Sequence, residues 1–216
     1  MSKLVKIIAE DGFKLPAYLS RSIGEAKGAI VLIQEIFGIT KQLRELADQY
    51  SALGYDSIVP ALFARVSNDI ELEYSQAAKG LELVSKIKQE SILYDIHAAI
   101  TALDHKQVSV IGFCWGGGLA YLAASELNLH SGAAFYPTRL LSYLPKKPKC
   151  AFQFHFAEND THSPADVIQQ MQQSAPDCKV FIYPQVDHAF ANHHKSSFDQ
   201  DSTSLAQSRV VKMLTR

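Results

Sequence analysis

The amino-acid sequence predicts an α/β protein in which helices flank a mostly parallel, doubly wound sheet. Strand-like and helix-like segments alternate along the chain, and this is the pattern of βαβ units. Residues 29–33 are apolar at every position, as expected of a central strand that helices cover on both faces. The chain has 216 residues, no linker-like stretch and no internal repeat, so a single domain is predicted over residues 1–216.

The N-terminal half is divided by turn residues and by hydrophobic periodicity. The turn signal Asp11-Gly12 separates two short apolar segments and indicates a hairpin or a pair of edge strands. Apolar residues at helical spacing precede Gly54, which stands where a helix ends. Gly80 lowers the helix propensity of the predicted helix over residues 70–87. The predicted elements are strands 5–8, 16–19, 29–33 and 55–59, and helices 41–53, 70–87 and 92–103.

The C-terminal half continues the same alternation. A strand with apolar character leads into a helix rich in small residues, and further strands and helices follow in turn. The predicted elements are strands 107–111, 132–136, 151–156 and 179–183, and helices 115–127, 164–174 and 204–214.

Charge and composition restrict the partners of the chain. Lys and Arg number 21 against 22 Asp and Glu, so the net charge of −1 provides no strong field to attract nucleic acid or anionic lipid. Apolar runs are far shorter than the roughly 20 residues of a membrane-spanning helix. No export signal is evident, and three cysteines make a disulfide framework improbable. We expect a cytoplasmic monomer or small homo-oligomer that acts on a small molecule, without nucleic acid or membrane.

The strongest local motif surrounds Cys114, between a predicted strand and a predicted helix. Gly112 and Gly116 stand two positions before and two positions after it, where a sharp strand-to-helix turn needs small residues. This spacing indicates a nucleophile elbow that carries cysteine. The helix N-terminus would favour the thiolate, and the amide of Trp115 would face a developing oxyanion. The alternative is a glycine-rich packing turn with an inert cysteine.

A thiol nucleophile needs a base and an acid, and the sequence contains both in the order nucleophile, acid, histidine. Asp160 follows the predicted strand 151–156, and His188 follows the strand 179–183. Both would lie at the carboxyl edge of the sheet, where open α/β folds bind ligands. Glu158 and Asp187 are alternative acids, although Asp187 is adjacent to the proposed base.

The other histidines and cysteines of interest are of residue types that can bind metals, but they are interpreted as surface or structural residues. His193 and His194 resemble a metal tract, but without a recognised ligand spacing they are interpreted as surface histidines, and no metal or cofactor is expected. His155 lies inside a predicted strand and is interpreted as a core histidine. Cys150 and Cys178 have no glycine flanks and are interpreted as structural residues.

The segment 34–38, Gln-Glu-Ile-Phe-Gly, follows the central strand at the same edge. Glu35 is either an ordinary solvated loop acid or a charge near Cys114 that controls ionisation of the thiol. The amide of Ile36 is the second oxyanion donor expected of this loop. Phe37, Tyr136 and Arg139 are candidate pocket residues.

Together these segments resemble the dienelactone hydrolase family over nearly the whole chain. The resemblance is carried by Gln34-Glu-Ile-Phe-Gly38, Pro60-Ala-Leu-Phe-Ala-Arg65, Gly112-Phe-Cys-Trp-Gly-Gly117, the Asp160 loop and Asp187-His-Ala-Phe190. It implies an α/β-hydrolase fold and cleavage of a lactone or enol ester of the carboxymethylenebutenolide type. The reaction would pass through an acyl-enzyme and need no metal.

The resemblance also implies roles for four residues. Cys114 would be the nucleophile, His188 the general base and acid, and Asp160 its orienter. Glu35 would keep the resting thiol protonated until substrate displaces it. The oxyanion donors would be the amides of Ile36 and Trp115.

The sequence departs from the family where a substrate carboxylate would bind. Family members that process the dienelactone carry serine and arginine where this chain has Ala189 and Asn192, and a further arginine has no match between residues 68 and 86. Without a guanidinium clamp, recognition loses a charge-assisted pair. Arg65 and Arg139 are candidate substitutes.

Two hypotheses about function follow. The first is a Cys-His-Asp hydrolase that cleaves an ester or lactone through a thioester. The second is a non-hydrolytic relative that binds a small molecule or senses thiol chemistry through a reactive Cys114.

Overall fold

A computed structural model describes residues 2–215 of the chain. The chain divides into two compact units, one that ends at Val108 and one that begins at Ser109. Each unit has its own strands, helices and buried side chains. The single domain expected over residues 1–216 stays a prediction.

The first unit contains a mixed sheet. Its strands within residues 2–108 are β1 (Ser2–Ile8), β2 (Lys14–Ser20), β3 (Gly28–Ile33) and β4 (Tyr55–Pro60), in the spatial order β1-β2-β4-β3. β1 and β2 form the predicted antiparallel hairpin, β2 pairs antiparallel with β4, and β3 runs parallel to β4. Every residue of β3 is buried, which agrees with the predicted burial of both faces of this strand.

The helices of the first unit are α1 (Lys41–Ala52), α2 (Ala77–Ser85) and α3 (Gln89–Leu103), with short 3-10 helices at Leu62–Arg65 and Tyr74–Gln76. The helix predicted over residues 70–87 is wrong at its N-terminal end. Glu71 instead forms a β-bridge with Gly38. The Glu71 carboxylate accepts hydrogen bonds from the amide of Lys41 at 3.1 Å and from Arg44 at 2.8 Å. These contacts stabilise the bridge in place of a helical turn.

The second unit contains a parallel sheet. β5 (Val108–Phe113) begins at the last residue of the first unit, and β6 (Ser131–Phe135), β7 (Ala151–Ala157) and β8 (Lys179–Tyr183) follow it in spatial order. Each neighbouring pair is parallel. The loops that leave the carboxyl ends of these strands therefore lie along one edge. Parallel strands and flanking helices confirm the predicted α/β class.

The helices of the second unit are α4 (Trp115–Glu126), α5 (Ala165–Ser174) and α6 (Gln200–Leu214). α6 begins four residues before the predicted start at 204, because the Asp199 side chain accepts a hydrogen bond from the amide of Ser202 at 2.8 Å and caps the helix. Across residues 2–215, none of the helices has both the length and the apolar character that crossing a bilayer requires.

Candidate active site

Cys114 occupies a sharp turn between β5 and α4. Its backbone has φ 54° and ψ −116°, a conformation that costs a non-glycine residue about 1–3 kcal/mol. The turn needs glycine at position 112, because a Cβ there would lie 1.9 Å from the carbonyl oxygen of Gly116. The half-buried thiol is therefore held at the N-terminus of a twelve-residue helix. This is the geometry that the glycine spacing predicts.

The turn that follows β6 supports this elbow through its main chain. The amide of Cys114 donates to the carbonyl of Phe135 at 3.0 Å, and the amide of Thr138 donates to the carbonyl of Cys114 at 3.0 Å. Close packing continues into α4, since a Cβ on Gly118 would lie 2.3 Å from the carbonyl oxygen of Thr138. The glycines after Cys114 thus allow the helix to approach this turn.

His188 and Asp160 form a close pair in the loops after β8 and β7. Nδ1 of His188 donates to Oδ2 of Asp160 at 2.7 Å, and the Asp160 side chain is fully buried. The other carboxylate oxygen, Oδ1, accepts from the amide of His162 at 2.9 Å. Ser163 fastens the same loop, because its hydroxyl donates to the carbonyl of Pro137 at 2.5 Å. Both oxygens of the Asp160 carboxylate are therefore engaged.

Cys114 lies close enough to His188 to influence the pKa of its imidazole. Burial by itself lowers the pKa of His188, but the interactions with Asp160 and Cys114 raise it to about 10. The predicted pair of His188 and Asp160 is therefore present, and the catalytic roles of Cys114, His188 and Asp160 stay predictions.

The alternative acids have other surroundings. Oε2 of Glu158 accepts from the amide of Gln185 at 2.8 Å, and Asp187 is exposed. Asp160 is therefore the carboxylate that holds His188 in this structure.

Two rings contact the imidazole of His188 edge to face. The ring of Tyr136 is fully buried, and its centroid lies 5.0 Å from that of His188. The ring of His162 is exposed, and its centroid lies 4.8 Å away. Tyr136 is a predicted pocket residue, whereas the sequence analysis missed His162. A turn in which an aspartate side chain accepts a hydrogen bond from the amide two residues later is common. The Asp-x-His spacing was therefore the available signal that His162 lies beside Asp160.

The two predicted arginines differ in their surroundings. Arg139 is exposed and directly follows Thr138, whose amide binds Cys114. Arg65, in the first unit, forms ion pairs with Asp11 at 2.6 Å and with Asp95 at 2.7 Å. A substrate carboxylate would have to displace one of these acids from Arg65, so the geometry disfavours that residue as a clamp.

The loop after β3 carries the remaining predicted residues. Glu35 is 2% exposed, so the interpretation as an ordinary solvated acid is wrong. Phe37 is buried and contacts the ring of Tyr74 edge to face at 5.0 Å. A Cβ on Gly80 would lie 2.1 Å from the carbonyl oxygen of Ile36. Glycine in α2 therefore permits close contact with this loop.

His193 and His194 lie at the surface and His155 lies in the core, as expected from the sequence. His193 and His194 are exposed, and their ring centroids are 4.2 Å apart. His155 is fully buried, and its Nδ1 lies 2.8 Å from the hydroxyl of Tyr183. Burial, with the charge of Arg209, lowers the pKa of His155 to about 3.

The two cysteines outside the elbow, Cys150 and Cys178, are half-buried. Burial raises the pKa of Cys150 to about 11 and that of Cys178 to about 12. Neither thiol ionises near neutral pH, which agrees with a structural role.

Comparison with known proteins decides the family. The sequence profile of the "Dienelactone hydrolase family" matches residues 15–216. The chain belongs to this family. Dienelactone hydrolases of known sequence include "Carboxymethylenebutenolidase 1" from Cupriavidus pinatubonensis, which is 27% identical over 99% of this chain and 97% of its own length. The "Carboxymethylenebutenolidase" of Pseudomonas putida is 26% identical over 97% of this chain and 94% of its own length.

A solved structure shows the fold of the family. The crystal structure of the "Putative Dienelactone Hydrolase" from Klebsiella pneumoniae aligns with a TM-score of 0.89 at 22% identity, and covers 100% of this chain and 98% of its own. This similarity confirms the α/β-hydrolase fold that the sequence resemblance implies. The chain is thus a member of a hydrolase family whose substrates are small molecules.

Proposed function

We propose that the chain hydrolyses an ester or a lactone with Cys114 as nucleophile, His188 as acid and base, and Asp160 as the group that orients His188. The observations that support this most directly are the hydrogen bond from His188 to the buried Asp160, the influence of Cys114 on the pKa of His188, and the strained elbow that carries Cys114. A nucleophile, a base within hydrogen-bond reach and a third group that orients the base are the parts that nucleophilic catalysis needs.

The first half of the reaction forms a thioester. In the proposed reaction His188 is an imidazolium, which agrees with its raised pKa, and its positive charge stabilises the sulfur anion that attacks the substrate. The thiolate attacks the carbonyl carbon, a C–S bond forms, and the carbonyl oxygen becomes an oxyanion. When the intermediate collapses, the C–O bond to the alcohol breaks and His188 donates its proton to the leaving oxygen.

The second half releases the acid. His188, now neutral, takes a proton from water, and the resulting hydroxide attacks the thioester carbonyl. The C–S bond breaks, the carboxylic acid leaves, and the thiolate and imidazolium are restored. In a lactone the alcohol oxygen remains attached to the acyl group, so the product is one hydroxy acid.

The substrate class follows from the relatives that the chain resembles. Two of them are named carboxymethylenebutenolidases, so we propose a lactone or enol ester of that type as the substrate. The roles of Ile36 and Trp115 amides as oxyanion donors, and of Glu35 as a partner of the thiol, stay predictions. A cytoplasmic location also stays a prediction.

The test is hydrolysis of p-nitrophenyl acetate and a panel of lactones by the wild-type chain and by Cys114→Ala. We expect Cys114→Ala to lose more than about 1,000-fold in kcat/KM, because the nucleophile is absent. Cys150→Ala is the matched control, since it removes a thiol outside the elbow, and it should hydrolyse at the wild-type rate. Native-rate hydrolysis by Cys114→Ala would refute the proposal.

The same experiment separates the non-hydrolytic alternative. A binding or thiol-sensing protein would release one equivalent of nitrophenol per chain and then stop, whereas a hydrolase turns over repeatedly. The ultraviolet absorbance of the thiolate, taken as the difference between wild type and Cys114→Ser, reports the resting state of the sulfur. A thiolate at neutral pH supports the ion pair, and a thiol supports the family resemblance, in which Glu35 keeps the sulfur protonated.

A further inference from the structure

His162 contacts both partners of the His188–Asp160 pair. Its backbone amide donates to Oδ1 of Asp160 at 2.9 Å, and its ring meets the imidazole of His188 at a centroid distance of 4.8 Å and an angle of 63°. The main chain of this residue therefore holds the acid while its side chain touches the base.

The contact with His162 has a counterpart from Tyr136. The centroid of the Tyr136 ring is 5.0 Å from that of His188, at an angle of 64°. The two rings thus limit the orientations that the imidazole can adopt while its Nδ1 faces Asp160. Tyr136 is fully buried, whereas His162 is exposed, so the His162 ring is the restraint on the solvent side.

The backbone around His162 is well anchored for this task. The next residue, Ser163, is buried, and its hydroxyl binds the carbonyl of Pro137 at 2.5 Å. The amide of Ser163 also donates to the carbonyl of Asp160 at 3.3 Å. An exposed ring on a mobile loop would restrain little, but this one is attached to a backbone held by three hydrogen bonds.

We propose that His162 is a positioning residue, whose ring keeps the imidazole of His188 aligned between Asp160 and Cys114. The ring acts by shape and edge contact, so a phenyl group can replace it. The inference rests on the proposed function for its kinetic consequence, but the alignment of His188 can be measured in the resting protein.

The test compares His162→Ala, His162→Phe and Thr161→Ala. His162→Ala removes the ring and leaves the backbone amide, and we expect kcat to fall about three- to tenfold with little change in KM, the scale of one lost aromatic contact. His162→Phe keeps a ring and should restore kcat to within about twofold of wild type. Thr161→Ala shortens an exposed side chain of the same loop and should behave as wild type.

Nuclear magnetic resonance of labelled His188 provides a readout that does not need turnover. His162→Ala should broaden or split the His188 ring signals, and His162→Phe should keep them as in the wild type. An unchanged spectrum and kcat in His162→Ala would overturn the inference, as would equal losses in the two variants, since these would assign the effect to a ring nitrogen. If Cys114→Ala retains activity while the His188 signals respond as expected, the proposed function fails and the positioning role stands.

Discussion

Asp160→Asn is the sharpest test of the proposed ion pair between His188 and Cys114. The substitution keeps the size of a buried side chain but removes the charge that faces Nδ1 of His188 at 2.7 Å. A hydrogen bond to a charged group contributes about 1.5–3 kcal/mol, which corresponds to about one to two units of pKa. The pKa of His188 should therefore fall from about 10 by this amount, and the ion pair should become about 10- to 100-fold less populated relative to the neutral pair.

The assay is kcat/KM of a neutral ester as a function of pH, with product release followed by titration. Activity that needs the imidazolium is present below the pKa of His188 and is lost as pH rises through it. The alkaline limb of the profile should consequently move to lower pH in Asp160→Asn. Asp187→Asn is the control, because this exposed carboxylate precedes His188 directly. The reasoning would be refuted if the alkaline limb of Asp160→Asn stayed at the wild-type pH, or if Asp187→Asn moved that limb by the same amount.

Two further predictions concern stability, and unfolding in urea followed by the fluorescence of the single tryptophan tests both. Gly80→Ala should destabilise the chain, because the added Cβ would lie 2.1 Å from the carbonyl oxygen of Ile36. Helix propensity alone predicts the opposite, since it favours alanine over glycine by about 1 kcal/mol. A stabilised variant would contradict the close contact between Gly80 and Ile36. Folding lowers the pKa of His155 from 6.5 to about 3. Between these pH values the unfolded chain is protonated at His155 and the folded chain is not. The free energy of unfolding should therefore decrease by up to about 1.4 kcal/mol per pH unit as pH falls through this range. In His155→Gln this acid dependence should be weaker, and an unchanged slope would show that other groups cause it.

Much of the fold could be predicted because burial leaves a clear pattern in the sequence. The six buried residues of β3 form an uninterrupted apolar run, and the hairpin of β1 and β2 surrounds a recognisable turn at Gly12. The extended segment at Glu71 could not be predicted in this way. Its conformation depends on Arg44 and Gly38, which are distant in sequence, while its residues have a local pattern compatible with a helix.

The candidate site could be predicted where a residue must satisfy a local backbone constraint. The elbow requires glycine at 112, and the chain order of acid and histidine places both at the carboxyl ends of neighbouring parallel strands. Arg65 shows the opposite case. An arginine near a predicted site resembles a substrate clamp, but the two acids that neutralise it, Asp11 and Asp95, come from distant segments. The ring of His162 was also missed, since exposed loop histidines have no periodicity.

The main-chain hydrogen bonds of the turn at residues 135–138 determine which substitutions near the site the chain can tolerate. The carbonyl of Phe135 and the amide of Thr138 bind the main chain of Cys114. The carbonyl of Pro137 accepts a hydrogen bond from Ser163, in the loop that carries Asp160. Main-chain groups are the same whichever side chain a position carries, so mutation of neighbouring side chains can reshape substrate preference while the spacing of nucleophile and acid is retained. A library for altered selectivity can therefore vary Arg139 among residues that tolerate its positive φ of 60°. It should exclude proline at 138, because the amide of Thr138 donates to the carbonyl of Cys114.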